Sequence, residues 1–158
     1  MKFLITAGPT REYIDPVRYI SNPSTGKMGY ALAQTARALG HQVVLVSGPT
    51  CLAAPAGVKL IPVVSADDMQ KAVFENMLAA DVIIMAAAVS DFKPASSARL
   101  KIKKDKASLQ LSLKRNPDIL AALGNRKHSY YLVGFAAETD HVILHAQKKL
   151  LNKNLDMI

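Results

Sequence analysis

The chain lacks most of the features that mark membrane-spanning, secreted and zinc-binding proteins. It contains one cysteine, Cys51, and no tryptophan. A lone cysteine forms neither an internal disulfide nor a zinc cluster, so it fits a reducing compartment, and we interpret Cys51 as a small buried hydrophobe rather than a nucleophile. The longest apolar run, residues 82–89, is far too short to span a bilayer. No basic segment leads into an apolar stretch at the start, so we expect no secretory signal, no membrane partner and a cytoplasmic location.

What the chain does contain is an ordinary globular composition with an uneven basic charge. Half of its 158 residues are apolar and a fifth are charged, which suits one domain with a hydrophobic core. The net charge is +8, and residues 91–115 alone carry eight lysines or arginines against two aspartates. Such a stretch attracts polyanions, so a nucleic acid, a nucleotide or a phosphorylated metabolite would each fit. A solvated basic loop is the alternative.

Strand-like and helix-like segments alternate along nearly the whole chain. Short β-rich runs bounded by glycine and proline alternate with segments of helical periodicity. Ser65 with Asp68 resembles a capping box, and Asn116 before Pro117 predicts a helix start. The predicted strands are 2–7, 42–47, 59–64, 81–87, 109–113 and 130–136, and the predicted helices are 27–39, 66–79, one from 116, and 141–152. The pattern predicts an α/β, Rossmann-like three-layer α/β/α fold around a mostly parallel sheet. We also expect a long loop through residue 23 and the start of a further strand at 155–158.

The glycine-rich segment Ser24-Thr-Gly-Lys-Met-Gly29 opens the first predicted helix. Gly26 and Gly29 would let the backbone approach a phosphate, and the helix N-terminus would stabilise its charge. The segment is neither a Walker A loop nor a dinucleotide fingerprint, because the glycines of those motifs are missing. Close packing of helix on sheet explains the two glycines equally well.

Other candidate residues lie in loops that leave the carboxyl ends of predicted strands, where parallel sheets bind ligands. Asp91 follows a buried strand, where a carboxylate suits a sugar, a base or a metal, although a capping role is the alternative. The lysines of Lys101-Ile-Lys-Lys104 suit a triphosphate, or else a solubilising flap. Local rules make Asn22 a turn former.

Some charged residues offer weaker signals. Lys149 and Lys153 are four residues apart and so share a helix face, usually a solvated one. The histidines suggest no metal site, because no carboxylate or third ligand stands out near them. We interpret all four as surface residues: His41, His128, His141 and His145.

Eight motifs in one order resemble the phosphopantothenoylcysteine synthetase family, in its bacterial form. They cover nearly the whole chain, and no single one would suffice. The motifs are Gly8-Pro-Thr-Arg-Glu12, Asp15-Pro-Val-Arg-Tyr-Ile-Ser-Asn22, Ser24-Thr-Gly-Lys-Met-Gly29, Ala86-Ala-Ala-Val-Ser-Asp91, Lys101-Ile-Lys-Lys104, Asn116-Pro-Asp118, Gly134-Phe-Ala-Ala-Glu-Thr139 and Lys153-Asn-Leu-Asp156.

The resemblance implies a two-step ligase reaction. The carboxylate of 4′-phosphopantothenate would attack the α-phosphate of CTP to give an acyl-cytidylate and pyrophosphate, and the amine of cysteine would then displace CMP. Asn22 and Lys101 would be catalytic, with Lys101 on a mobile flap, and Asn22 and Ala88 would bind the acyl substrate. The implied nucleotide-binding residues are Gly8, Ser24, Gly26, Gly29, Ala86, Ala87, Asp91, Lys101, Asn116, Pro117, Phe135, Lys149 and Lys153.

The resemblance also implies a cofactor, partners and boundaries. Mg²⁺ would bridge the phosphates, with no protein ligand assigned. We expect a homodimer, a flavin-dependent decarboxylase fused or in trans, and no nucleic-acid partner. The family domain continues past Ile158, so we expect residues 1–158 to be one synthetase domain without its C-terminal tail.

Two rival interpretations share parts of this pattern. A nicotinamide-dependent reductase would use the same sheet, but it needs a glycine-rich first turn and a Tyr-x-x-x-Lys pair that the chain lacks. A nucleic-acid-binding module would explain the charge, but only nine aromatic residues offer stacking.

Overall fold

The computed structural model describes residues 1–103, 108–127 and 129–158. Lys104 of the basic motif and His128 therefore lie outside the described residues. The strands are β1 (Lys2–Ala7), β2 (Arg11–Asp15), β3 (Arg18–Ser21), β4 (Gln42–Ser47), β5 (Lys59–Pro62), β6 (Val82–Met85), β7 (Phe92–Pro94), β8 (Leu113–Arg115) and β9 (Tyr131–Val133). The α-helices are α1 (Lys27–Ala38), α2 (Ala66–Asn76), α3 (Ile119–Asn125) and α4 (Val142–Asn152), and a 3-10 turn (Met77–Ala79) follows α2.

Five strands form a central parallel sheet in the order β5-β4-β1-β6-β9. All four residues of β6 are buried, as expected of a strand covered on both faces of a parallel sheet. The chain leaves β1 through α1 toward β4 on one side, and it later returns to β6 on the other side. This change of direction makes the carboxyl ends of β1 and β6 the expected ligand site.

Helices cover both faces of the sheet, which confirms the predicted three-layer fold. On one face, Tyr30 and Ala33 of α1 pack with Ile5 and Leu45 of the sheet. On the other face, Met69 of α2 belongs to the larger core cluster that also contains residues of α3. Because successive strand residues point to opposite faces, each strand serves both clusters.

A β-hairpin occupies part of the segment that we expected to be a loop through residue 23. Strands β2 and β3 pair antiparallel, and Asp15 makes the turn by accepting hydrogen bonds from the amides of Val17 and Arg18, each at 2.9 Å. The prediction of a loop was wrong because the turn-forming residues Asp15 and Pro16 lie inside a hairpin with very short strands.

The alternating segment 109–113 was also placed too early. The strand is β8, which pairs antiparallel with β7 through partners such as Phe92 and Arg115. Residues 109–112, which carry most of the alternating pattern, form an exposed segment that leads into β8.

One predicted helix start is confirmed and another is wrong. Ser65 and Asp68 form the complete capping box at the start of α2. At α3 the cap is Asp118, whose carboxylate accepts from the Ala121 amide at 2.9 Å, and not Asn116. The amide of Asn116 instead donates to the Ser90 carbonyl, so its hydrogen bonds serve a neighbouring loop.

Two side-chain interpretations also need correction. Cys51 is exposed rather than buried, because it lies in the loop after β4. His145 has carboxylates nearby, with its Nδ1 3.5 Å from Glu138 and 3.6 Å from Asp140. Within the described residues, however, no group of three or more potential ligands could hold a metal ion. No described helix is both long and apolar enough to cross a membrane.

Candidate functional site

The segments that follow β1 and β6 are hydrogen-bonded to each other at the carboxyl edge of the sheet. Together they form a continuous surface, which we call the floor of the site. The Ala88 amide donates to the Gly8 carbonyl at 2.9 Å, and the Thr10 amide donates back to the Ala88 carbonyl at 3.3 Å. The buried Thr6 hydroxyl accepts from the Ala87 amide at 3.1 Å. The alanines thus contribute backbone groups and small side chains at the point where the sheet topology predicts a ligand.

The glycine-rich segment borders an open cleft of about 500 Å³ beside this floor. Residues 23–29 and Ala86 line it. Gly26 has a φ of 77° at the N-cap of α1, and a Cβ there would lie 2.7 Å from the Thr50 methyl group and 3.3 Å from the Gly8 backbone. Gly8 and Gly26 therefore allow the loops after β1 and before α1 to pass close to each other. This close approach places the first turn of α1 at the border of the cleft.

Gly29 has the packing role that we considered as the alternative to phosphate binding. A Cβ at this position would lie 2.5 Å from the Ala7 Cβ and 2.8 Å from the Thr6 carbonyl oxygen. The glycine lets α1 lie directly on β1. Packing and phosphate binding are compatible here, because the same close approach sets the position of the helix N-terminus.

The side chains of Asn22 and Asn116 hold the loop that follows β6 by hydrogen bonds to its backbone. The Asn22 amide donates to the Val89 carbonyl at 3.1 Å, and the Asn116 amide donates to the Ser90 carbonyl at 2.8 Å. The Asn116 backbone N–H also donates to the Asp91 carbonyl at 2.8 Å. The structure thus brings Asn22, Asp91 and Asn116 to one loop, although they are far apart in the sequence.

The lysines of the α4 region form a second group, which contacts the segment after β9 and the start of α3. The Lys149 ammonium donates to the Phe135 carbonyl at 2.7 Å, and the Lys153 ammonium pairs with Asp118 at 2.7 Å. Burial and the charge of Lys153 lower the pKa of Lys149, although Glu138, Asp118 and Asp91 act in the opposite sense. Burial acts to raise the pKa of Asp118, but Lys153 and the Ala121 amide outweigh it and leave the pKa lowered.

These lysines are therefore not simply a solvated helix face. Lys149 lies close enough to Asp91 for their charges to influence each other. The group is a set of partly buried cations beside acidic side chains, next to the loop that Asn116 fastens.

Lys101 lies in a loop held by the β2–β3 hairpin rather than by the α4 lysines. Its neighbour Ile102 donates its amide to Asp15 and accepts from Arg18. Among the described residues, no hydrogen bond or ion pair joins the Lys101 side chain itself to the rest of the site.

Sequence reasoning missed several polar residues that build this edge. Thr6 and Thr10 are fully buried, and their hydroxyls hold the Ala87 and Ser90 amides. Ser90 is itself buried, and its hydroxyl, like the Asn116 side-chain oxygen, has no described protein partner. The available signal was a threonine inside or just after an apolar strand, which strand propensity alone explains equally well.

The family of DNA/pantothenate metabolism flavoprotein C-terminal domains matches residues 1–158. The chain belongs to this family.

Curated relatives of this flavoprotein C-terminal domain carry the same region within longer proteins. The coenzyme A biosynthesis bifunctional protein CoaBC of Bacillus subtilis is 53% identical over 156 residues, covering 98% of this chain and 38% of the relative. CoaBC of Escherichia coli K12 is 46% identical over 162 residues, covering 100% of this chain and 40% of the relative. The chain thus spans about two fifths of these relatives.

Two solved structures agree with the fold. The C-terminal domain of a CoaBC protein superposes with a TM-score of 0.88 at 46% identity, covering 99% of this chain and 74% of that one. A Cab2 mutant in complex with phosphopantothenate-cysteine superposes with a TM-score of 0.77 at 18% identity, covering 99% of this chain and 72% of that one. At that identity the second comparison shows the shared fold alone.

Proposed function

We propose that this chain is the ligase part of a coenzyme A biosynthesis protein and joins 4′-phosphopantothenate to cysteine through an acyl-cytidylate. The observation that carries the proposal is the meeting, at one sheet edge, of Asn22, the Ala86–Ala88 floor and the glycine-rich cleft. Membership of the family and identity to CoaBC proteins support it.

The first half-reaction needs the nucleotide held so that its α-phosphate faces a carboxylate. The cleft at the α1 N-terminus suits a phosphate, because the backbone N–H groups of the first helical turn and the helix dipole favour negative charge. Lys149 and Lys153 supply positive charge, and Lys149 lies close enough to Asp91, in the loop after β6, for the two charges to interact. Pyrophosphate leaves more readily when its developing charge is neutralised by such groups.

The second half-reaction needs the acyl carbonyl held while the cysteine amine attacks. Asn22 reaches the Val89 carbonyl with its amide nitrogen. Its side chain therefore lies over the loop that continues from the alanine floor, where an amide can hydrogen-bond the acyl group. Holding two reactants in this way converts a bimolecular step into an effectively unimolecular one.

Magnesium fits this site only as a partner of the nucleotide. Mg²⁺ is usually held by one or two carboxylates together with substrate phosphates. The described residues contain no larger ligand cluster, and Asp91 is an exposed carboxylate near Lys149 that follows the alanine floor. Asp91 and the phosphates would thus hold the ion, whose chemistry is charge neutralisation on the triphosphate.

We also propose the biological setting. The exposed thiol of Cys51 suits the reducing cytoplasm. The curated relatives are bifunctional and more than twice as long as this chain, which fits a flavin-dependent decarboxylase as the partner that consumes the product. We propose that the chain works as a homodimer and as one domain.

A titration with CTP and ATP tests the nucleotide, followed by a product assay. We expect tighter binding of CTP, pyrophosphate release that requires 4′-phosphopantothenate, and amide product that also requires cysteine. Lys149→Gln should weaken CTP binding, while Lys148→Gln, which removes the neighbouring exposed lysine, should not. Equal or tighter binding of ATP would exclude the CTP assignment. Absence of amide product from a wild-type chain that carries the family's complete C-terminal tail would exclude the ligase.

A further inference from the structure

The hairpin β2–β3 connects Asn22 with the loop of Lys101, the two residues to which the family resemblance assigns catalytic roles. Asn22 follows β3 directly, because the strand ends at Ser21. The loop that contains Lys101 lies along the turn end of the same hairpin. The Ala98 amide donates to the Ile14 carbonyl at 2.9 Å, and the Ile102 amide donates to Asp15 at 3.1 Å.

Asp15 is the centre of this attachment. Its carboxylate accepts five hydrogen bonds: from the amides of Val17, Arg18 and Ile102, and from two nitrogens of the Arg18 guanidinium. The same guanidinium donates to the Ile102 carbonyl at 2.8 Å. Asp15 and Arg18 thus hold the backbone of Ile102 by both its N–H and its C=O.

A turn alone does not explain a buried charge at this position. The Asp15 side chain is completely buried, and burying a carboxylate is costly unless it is paired and hydrogen-bonded. A neutral asparagine makes the same kind of turn. The Arg18 guanidinium beside Asp15 holds the pKa of this carboxyl far below its usual range, against the opposing effect of burial. The Asp15 charge therefore holds the Arg18 guanidinium in the position from which it hydrogen-bonds to Ile102.

The hairpin is itself fixed, so it can transmit position to the loop. The buried Glu12 carboxylate accepts from the Ala66 amide at the start of α2 at 2.9 Å, and the Arg11 amide donates to the Val64 carbonyl at 2.8 Å. The Ser21 hydroxyl donates to the Thr10 carbonyl at 2.7 Å. Such supporting contacts are what keep functional groups within a fraction of an ångström of their working geometry.

We propose that Asp15 is a positioning residue that, with Arg18, fixes the backbone at Ile102 and thereby sets Lys101 in register with Asn22. The proposal deepens the proposed function, since it takes Lys101 and Asn22 as groups of the ligase. It assigns Asp15 no contact with substrate.

Amide hydrogen exchange tests the attachment without any substrate. In Asp15→Asn we expect the Ile102 amide to exchange about tenfold faster or more, since a hydrogen bond to a charged group is lost. The Leu4 amide in the core reports the global stability. Asp81→Asn, which changes an exposed carboxylate at the opposite edge of the sheet, is the matched control. Ile102 exchange that rises only as much as Leu4 exchange would overturn the proposal.

A double-mutant comparison tests the link to Lys101. Asp15→Asn should lower kcat on the order of a hundredfold, as misplacement of a reacting group does. In a Lys101→Gln background the same substitution should cost little more, because both changes disable one group. Losses that multiply independently would show a general structural role and overturn the proposal. Arg18→Lys keeps a cation for Asp15 but loses the guanidinium hydrogen bond to the Ile102 carbonyl. If Asp15→Asn does not fold, Arg18→Lys replaces it in both the amide-exchange and the kcat measurements.

The two tests separate this inference from the proposed function. A wild-type protein that carries the family's complete C-terminal tail and still lacks ligase activity would refute the function. The exchange of the Ile102 amide would still decide whether Asp15 holds the loop.

Discussion

A methyl group added at Gly29 challenges the contact between α1 and β1, on which the proposed phosphate site depends. The new Cβ would lie 2.5 Å from the Ala7 Cβ, 2.8 Å from the Thr6 carbonyl oxygen and 3.0 Å from the Ala7 Cα. Two of these three atoms are backbone, so no side-chain rotation relieves the clash. The helix has to move away from the strand by several tenths of an ångström.

The expected magnitude follows from two opposing effects. Overpacking a core typically costs about 1–3 kcal/mol, and the backbone contacts put Gly29→Ala near the upper value. Replacing a helical glycine with alanine stabilises the helix by about 1 kcal/mol, because alanine has the higher helix propensity. The net loss of about 2 kcal/mol should lower the midpoint of thermal unfolding by roughly 4–8 °C. The displaced helix N-terminus should also weaken CTP binding by about tenfold, a loss comparable to that of one charge-assisted hydrogen bond.

Gly40→Ala is the matched control for this experiment. Gly40 has a φ of 85° and open space around its Cβ position, so alanine there is strained by conformation alone and lies outside the cleft. Thermal unfolding and calorimetric titration with CTP should show that Gly40→Ala loses stability and keeps nucleotide affinity. If Gly29→Ala unfolds and binds CTP like the wild type, the reasoning about the α1–β1 contact is wrong.

Three further predictions concern the candidate catalytic residues and the buried carboxylate. Asn22→Asp should abolish the amide product with the fold retained, because the new carboxylate repels the phosphate-linked intermediate; Asn125→Asp is the control, and normal rates of pyrophosphate release and amide formation would refute the role. Lys101→Gln should reduce turnover without changing thermal stability, whereas the control Lys59→Gln, at the opposite edge of the sheet, should leave both unchanged. A collapse of stability in Lys101→Gln would show that this lysine is structural. Asp15→Asn should lose stability relative to the wild type near pH 7, and the difference should shrink as the pH falls toward 3. The reason is that the folded pKa of Asp15 is lowered, so its contribution is present above the unfolded value of 3.8 and is lost in acid. Urea unfolding across that range measures this difference, and a gap that stays constant would contradict it.

The layers of the fold were predictable because they depend on periodicity and on strong breakers. The strand Gln42–Ser47 was predicted with its observed bounds, since an apolar β-branched run ends at Gly48-Pro49. The capping box of Ser65 and Asp68 was also confirmed, because it depends only on neighbouring residues. Short antiparallel ribbons were not predictable in the same way. A strand of four or five residues such as β2 or β3 has too little pattern to separate it from a loop.

The candidate site was predictable as a location but not as a network. Parallel topology places the loops after β1 and β6 at one edge, and the structure brings Asn22, the alanine floor and Asn116 together there. No local rule indicates that Asp15 reaches Ile102, since the two residues are 87 positions apart. Long-range polar contacts depend on the assembled fold, so sequence patterns show only the groups available to make them.

The hydrogen bonds that join the β1 and β6 exits have a consequence for the order of folding. The Thr6–Ala87 and Thr10–Ser90 contacts span 81 and 80 positions, so closing them carries the entropy cost of a long loop. Strand β6 must dock beside β1 before the floor exists, so a partly folded chain with only β1, α1 and β4 in place would lack the Ala86–Ala88 side of the proposed nucleotide site. A ligand of this site therefore binds the completed sheet alone and stabilises it by mass action. Nucleotide binding during refolding would therefore report the docking of β6 beside β1.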